Sequence, residues 1–355
     1  MEQDLSYLHK LFEHFPEPVF ALHGLQVVYT NAAGGALLAL QEESFLITLG
    51  ELLPQESGQV QCALEGGLYH ITVSLLTPDL RLLLLRPARQ VEASPHHSNV
   101  PAILRGHLTN LAATTEHLAQ QLYKEQRLEA YSDLLSIQNQ AVYRILRLAR
   151  QMELSHSDWA QEFSMGMVDL AGVCRSIHGE LGSRLGEEGP RFTYRSELGS
   201  LAMLGSKTLL EQLILSLLSN AIKSAGPDGA VDLSLFKKNN RAVISVWDNG
   251  KSIPEDRLLN LFSPFHNATL PRPNEGAGLD LWIAHRIAIF HHGVIMAGNR
   301  PNGGTEFTVS LPIHAPTQLR LQSTDTAFVG EDFSHLLVVL ADALPRHAFD
   351  PIVEP

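Results

Sequence analysis

Sulfur chemistry is nearly absent from this chain: in 355 residues only Cys62 and Cys174 occur. Two scattered thiols supply neither a metal-ligand spacing nor a disulfide framework, so both read as small apolar core residues in a reducing compartment. Long apolar runs are missing as well, with none of the roughly 18 residues that a membrane-spanning helix needs. The opening MEQDLSYLHK is acidic and polar, unlike a secretory signal. Positive charge is scarce. The 26 Lys and Arg against 38 Asp and Glu leave a net charge of −12, which argues against a generic nucleic-acid or membrane-surface binder. Together these shortages predict a cytoplasmic protein with no membrane span and no direct nucleic-acid contact. Apolar residues make up 45% of the chain, enough for a core in every segment, and the length suits two or three domains of roughly 100–200 residues each.

The stretch 211–224, EQLILSLLSNAIKS, reads as an amphipathic helix, with Leu213, Ile214, Leu217 and Leu218 at helical spacing. Asn220 and Lys223 interrupt the apolar pattern from nearly the same side. A carboxamide oxygen can ligate a hard cation such as Mg2+, and an ammonium can meet phosphate oxygens. The short apolar strand 242–247 delivers Asp248-Asn249-Gly250 at its end. A buried Asp there can accept a hydrogen bond from an exocyclic amine. Further on, Gly276-Ala277-Gly278-Leu279-Asp280-Leu281 opens a second helical run, and Gly303-Gly304-Thr305 turns into a last strand through Pro312. Glycines ahead of a helix let backbone N–H groups approach phosphates.

In this order the motifs of residues 165–312 resemble the ATP-binding domain of sensor histidine kinases, the fold shared with the GHKL ATPases. The resemblance implies ATP and Mg2+ as cofactors. It assigns Asn220 to the Mg2+ carried by ATP, Lys223 to a phosphate and Asp248 to adenine. Gly250, Gly276, Gly278, Leu279 and Thr305 complete the nucleotide-binding set. Leu261-Phe262-Ser263-Pro264-Phe265 is similar to the family's F box, and the ATP lid falls at 266–275. Two positions depart from the pattern. Ser252 replaces a glycine, and Asp280 puts a carboxylate where a close-packed glycine is expected, predicting repulsion toward a triphosphate.

Upstream, residues 1–90 alternate a short helix, two strands, a helix and three further strands, an order that resembles a PAS domain with no cofactor assigned. Residues 91–156 give a linker followed by two long helical patterns around the polar YKEQ. Leu104, Leu108, Leu111, Leu118 and Leu122 stripe the first; Leu134, Ile137, Val142, Ile145, Leu148 and Met152 stripe the second. Two such helices form an antiparallel hairpin that a second copy completes into a four-helix bundle. The hairpin resembles the dimerisation and phosphotransfer module of the same kinases. The family's acceptor motif aligns with 102–111 without a gap, which puts Ala102 at the phospho-acceptor position and leaves His107, His117 and His96 as alternative acceptors.

The expected fold class is thus α+β and multidomain. A PAS-like sensor spans 1–90, a linker and dimerisation hairpin 91–156, a two-layer α/β sandwich of the histidine-kinase ATPase type 157–314, and an extension 315–355. The expected function is a histidine-kinase-like, homodimeric member of two-component signalling, with a response regulator or another signalling protein as partner. The alternatives are an inactive pseudokinase scaffold and a protein Ser/Thr kinase of the same ATPase superfamily. Residues 336–340 suit a strand that docks on the ATP domain or on a partner.

Overall fold

The computed structural model describes residues 8–9, 12–13, 15, 17–24, 26–39, 58–64, 67–77, 79–87, 100–156, 159–258, 261–263, 278–300, 303–313 and 333–351. The lid stretch 266–275, His96 and Gly276 lie outside the described residues, as does most of the linker.

The continuous apolar run VFAL, buried at all four positions, forms β1 (Val19–His23), which pairs with β2 (Gln26–Thr30) through a turn at Gly24, whose φ of +59° suits glycine. Asn31 follows as the N-cap of α1 (Ala32–Leu38). Its Oδ1 accepts from the N–H groups of Val19 and Gly34, and its Nδ2 donates to the carbonyls of Phe15 and Glu17. One buried carboxamide therefore ties the chain's entry, the first strand and the helix together. Strands β3 (Gly58–Leu64), β4 (Gly67–Thr77) and β5 (Leu80–Pro87) complete an antiparallel array in the order β2-β1-β5-β4-β3.

Two 25-residue helices come next, α2 (Val100–Lys124) and α3 (Ser132–His156). The pairings Gln138 to Thr115 and Arg105 to Glu153 show that they run antiparallel. Leu108, Val142 and Leu146 are buried between them, whereas Leu118, Leu134, Ile137, Ile145 and Leu148 remain exposed.

The remaining helices pack on a second group of strands. Strand β6 (Gly166–Asp169) pairs with β8 (Ala202–Gly205), and between them lie α5 (Leu170–Leu185) and β7 (Arg191–Arg195), after the single turn α4 (Trp159–Glu162). Next come α6 (Lys207–Ala225), β9 (Ala230–Lys238), β10 (Arg241–Asp248) and the short α7 (Glu255–Leu258). The last part holds α8 (Asp280–Phe290), β11 (Val294–Asn299) and β12 (Thr305–Pro312). The apolar faces of α5, α6 and α8 close one large core over the sheet order β11-β12-β10-β9-β7. This is a mixed α/β molecule. Its two groups of strands join into one ten-stranded sheet, because β3 pairs with β11 through Ala63–Ile295, Cys62–Met296 and Gln61–Ala297. The sequence pattern contains no signal for that junction. Among the described residues no helix is long and apolar enough to cross a membrane.

The expected strand at 336–340 is instead a helix, α9 (His335–Val339). Ser334 caps it, and the run LLVVL is buried on every side, so its apolar residues carry no period that tells strand from helix. A 3-10 turn, Arg346–Phe349, follows. The segment lies against α3: Asn139 donates to the Phe349 carbonyl at 3.1 Å, Gln140 donates to the Ala341 carbonyl at 3.2 Å, and Tyr143 meets the rings of Phe333 and Phe349.

Two histidines in the core fix an acid limit on stability. Burial pushes His285 and His291 down from 6.5 to about 4. His291 is satisfied as a neutral ring, its Nε2 accepting from the Ser206 N–H at 3.0 Å and its Nδ1–H donating to the Ile287 carbonyl at 2.8 Å. Both rings are neutral when folded, and below pH 6.5 the unfolded chain binds more protons than the folded one. Stability is therefore expected to fall as pH drops from about 6.5 toward about 4. Urea unfolding at pH 7 and pH 5 measures the loss. His285→Leu should remove close to one proton from its slope, and an unchanged slope would contradict the assignment.

Candidate nucleotide-binding site

The site is built on α6. Ser206 caps its start, and Gly226, at φ +71°, ends it. Twelve of its residues are buried, from Leu209 to Ile222. That burial fixes the helix's rotation and brings Asn220 to a half-buried position and Lys223 to an exposed one. Taken over its whole surface Lys223 is exposed, yet its ammonium is crowded. Desolvation first, then Arg147, lower its pKa, while Asp280 and Asp342 act to raise it.

Strand β10 is buried along most of its length and ends on Asp248, which has no exposed surface. The Ser224 hydroxyl donates to Asp248 Oδ1 at 2.7 Å, and the Gly250 N–H donates to the same oxygen at 2.9 Å. Oδ2 accepts no hydrogen bond among the described residues, and neither does the buried Thr305 hydroxyl. Thr305 faces Asp248 directly across the β10–β12 pairing. A buried carboxylate with one oxygen unused is a costly arrangement. Burial accordingly raises the Asp248 pKa, against the Ser224 hydroxyl and the N–H groups of Gly250 and Thr305.

Close backbone approach explains the glycines. A Cβ on Gly250 would stand 2.2 Å from the Ser224 carbonyl oxygen, and one on Gly304, at φ +83°, 1.9 Å from the Asp248 carbonyl oxygen. The loop after Asp248 is then held from the side, as Asn299 exchanges hydrogen bonds of 2.8 and 2.7 Å with the backbone of Ile253. Ser252, the glycine replacement, is exposed. Gly278, at φ +70°, turns the chain into α8. The Leu279 side chain is buried in the core, so this residue has only backbone to offer a ligand.

The expected repulsion from Asp280 does not describe what its carboxylate does. Asp280 is ion-paired with Arg147 of α3 and accepts from Gln151 Nε2 at 2.6 Å. Arg147 also pairs with Asp342 and donates to Ser219 Oγ at 3.3 Å. A second tie lies two turns along α3, where Arg286 of α8 donates to the carbonyls of Leu154 and Ser155 while its guanidinium covers the Trp159 ring at 4.3 Å. Arg147, Gln151 and Asp342 had not been singled out as site residues. The signal for Arg147 is the spacing of Arg144, Arg147 and Arg150, which places three guanidiniums toward one side of the helix, and no sequence signal marks Gln151 or Asp342.

Asn220 and Lys223 on α6, Asp248 at the end of β10 with Gly250 just after it, and Thr305 on β12 thus lie on elements that pack against one another. His107 and His117 are elsewhere. Both are exposed on α2, with His117 Nε2 2.9 Å from Gln121 Nε2, and Ala102 lies in the first turn of that helix. The hairpin meets the large core of α5, α6 and α8 through α3.

Residues 205–315 match the family model of the histidine kinase-, DNA gyrase B- and HSP90-like ATPases. Signal transduction histidine-protein kinase AfsQ2 of Streptomyces coelicolor is 42% identical over 104 residues, covering 29% of this chain and 19% of that protein. Sporulation kinase D of Bacillus subtilis is 26% identical over 217 residues, 60% of this chain and 40% of that protein. The chain therefore spans well under two thirds of the length of these curated relatives. Among solved structures, the catalytic domain of histidine kinase ThkA is 25% identical with a TM-score of 0.39, covering 42% of this chain and 96% of that one. Residues 205–315 are thus similar to the histidine kinase-, DNA gyrase B- and HSP90-like ATPases, and the curated relatives named here are histidine kinases.

On the assignment of Asp248 to adenine expected from the sequence, Asp248→Ala should weaken Mg·ATP binding by about 1–3 kcal/mol, because the exocyclic amine would lose a buried acceptor. Titration calorimetry on both proteins, with thermal unfolding run alongside, makes the test. Equal affinities would remove Asp248 from the site.

Proposed function

We propose that the chain binds Mg·ATP between α6, β10, β12 and the start of α8, and works as a histidine-kinase-like protein of two-component signalling. The observation that carries the reading is the pair of unused buried acceptors, Asp248 Oδ2 and the Thr305 hydroxyl, which face each other inside a matched ATPase domain. Both suit the amine edge of adenine. Asn220 would take the Mg2+ that accompanies the phosphates, Lys223 would meet a phosphate oxygen, and Gly250 and Gly278 would give backbone access. Bound ATP supplies a transferable γ-phosphoryl group.

The chain's domains in this reading are a PAS-like sensor over 1–90, a dimerisation hairpin within 91–156, the ATPase part over 157–314 and an extension over 315–355. Five antiparallel strands around the small core of Phe20, Leu22, Leu37, Ile71 and Leu83 support the first. The exposed Leu118, Leu134, Ile137, Ile145 and Leu148 support the second, because an apolar stripe of that length is covered when two hairpins pair. A response regulator or another signalling protein is the partner, and the buried free thiol of Cys174 suits a cytoplasmic setting.

A second reading has its own observation. At the acceptor position Ala102 has no nucleophilic nitrogen, so phosphotransfer needs His107, His117, His96 or a partner's residue, or does not occur. In the last case the chain is a pseudokinase scaffold that ATP occupancy regulates. Incubation with γ-labelled ATP separates the possibilities: acid-labile, alkali-stable label marks phosphohistidine, acid-stable label marks a Ser/Thr kinase, and no label despite binding marks the scaffold. Sedimentation of the full chain should give a dimer at micromolar concentration, and Leu134→Glu with Ile137→Glu should shift it toward monomer. A wild-type monomer under those conditions would refute the hairpin interface.

A further inference from the structure

We propose that the C-terminal segment 334–350 is an internal competitor of nucleotide, holding Arg147 with Asp342 so that ATP binding and release of this segment are coupled. The inference rests on the nucleotide reading of the site and adds its regulation.

Arg147 is 2% exposed and bridges three parts of the molecule: Asp280 at the first turn of α8, Ser219 beside Asn220 on α6, and Asp342 in the C-terminal segment. Arg144 adds a second contact to Asp342 at 3.1 Å. The segment is also held elsewhere, by hydrogen bonds, by apolar packing, and by His347 against Glu188 at 3.0 Å and His335 against Glu211 at 3.7 Å. Gln140 and Asn139 donate to its carbonyls, Arg184 donates to the Ala348 carbonyl at 3.1 Å, and Val338 joins Leu108, Val142 and Leu146 in a small apolar cluster. Of its ties to charged groups, the pairing of Asp342 with Arg144 and Arg147 is the one that reaches Asp280 and Ser219, next to Asn220, where the nucleotide reading puts the phosphates. Lys223, matched to a phosphate contact, is crowded by Arg147, Asp280 and Asp342 together.

The charges set the sign. With the segment docked, Arg144 and Arg147 are balanced by Asp280 and Asp342. With it undocked, one positive charge is left over beside Ser219 and Lys223. A polyanionic nucleotide is drawn to the second arrangement and repelled by Asp342 in the first. A ligand that prefers one of two states shifts the balance toward it, and the coupling is reciprocal. Docked segment and bound triphosphate therefore disfavour each other.

Hydrogen exchange of the full chain, with and without saturating Mg·AMPPNP as a non-hydrolysable ATP analogue, reads the coupling directly. Amides of 335–350 are expected to exchange at least about fivefold faster with the analogue, the size of one unit charge acting across a partly screened site. By reciprocity Asp342→Asn should bind Mg·AMPPNP about fivefold or more tightly in calorimetry, while Asp342→Glu, which keeps the charge, stays at the wild-type affinity. Analogue binding with unchanged or slowed exchange in 335–350 overturns the coupling and leaves the nucleotide site standing. So does an unchanged affinity in a folded Asp342→Asn. If that variant fails to fold, the wild-type exchange decides alone. Absence of binding in the wild type and in Asp342→Asn alike overturns the nucleotide reading, and the coupling with it.

Discussion

A guanidinium taken out of water holds this molecule together. Removing a charge from solvent costs several kcal/mol unless it is paired at contact, and Arg147 is paired twice, by Asp280 and Asp342. Neither carboxylate lies on its own helix. The hairpin helix, the ATPase core and the C-terminal segment therefore meet where one buried charge requires all three. Deleting one partner of such a set costs about 3–5 kcal/mol, because the other is left uncompensated. The neighbouring apolar contacts of Tyr143, Phe333 and Phe349 add area, but area alone is indifferent to register. The ion pairs choose the register.

Asp248 works by the opposite arrangement. Arg147 is buried with its charge met on both sides, while Asp248 is buried with one oxygen left over. The first is a joint and the second is a socket. Ser224 and Gly250 fix Oδ1 in place, and this aims Oδ2 without consuming it. Asn299 steadies the following loop, so the socket is shaped before any ligand enters.

Much of the ATPase part was legible because its signals are local. The helix around Asn220, the strand into Asp248, the glycines at 250, 278 and 304 and the helix from Asp280 each announce themselves by period or by steric need. The hairpin was legible for the same reason, as a pattern of apolar residues at 3.6-residue spacing. What stayed hidden are pairings between distant residues. No sequence period says that Asp280 answers Arg147, or that β3 adds to β11. The run 336–340 misled because continuous burial erases the alternation that separates strand from helix, and only the Ser334 cap, outside the run, decides it.

The strand junction has a mechanical consequence. Strand β11 carries β3 of the N-terminal array on one edge, and at its far end Asn299 grips the loop that follows Asp248. Backbone hydrogen bonds are stiff along a sheet, so β11 is a rigid link between two clamps. A pull on β3 is passed through its pairing with β11 toward the loop after Asp248. The two regions are geared by one strand whose Ile295, Met296 and Ala297 grip on one side what Asn299 steers on the other.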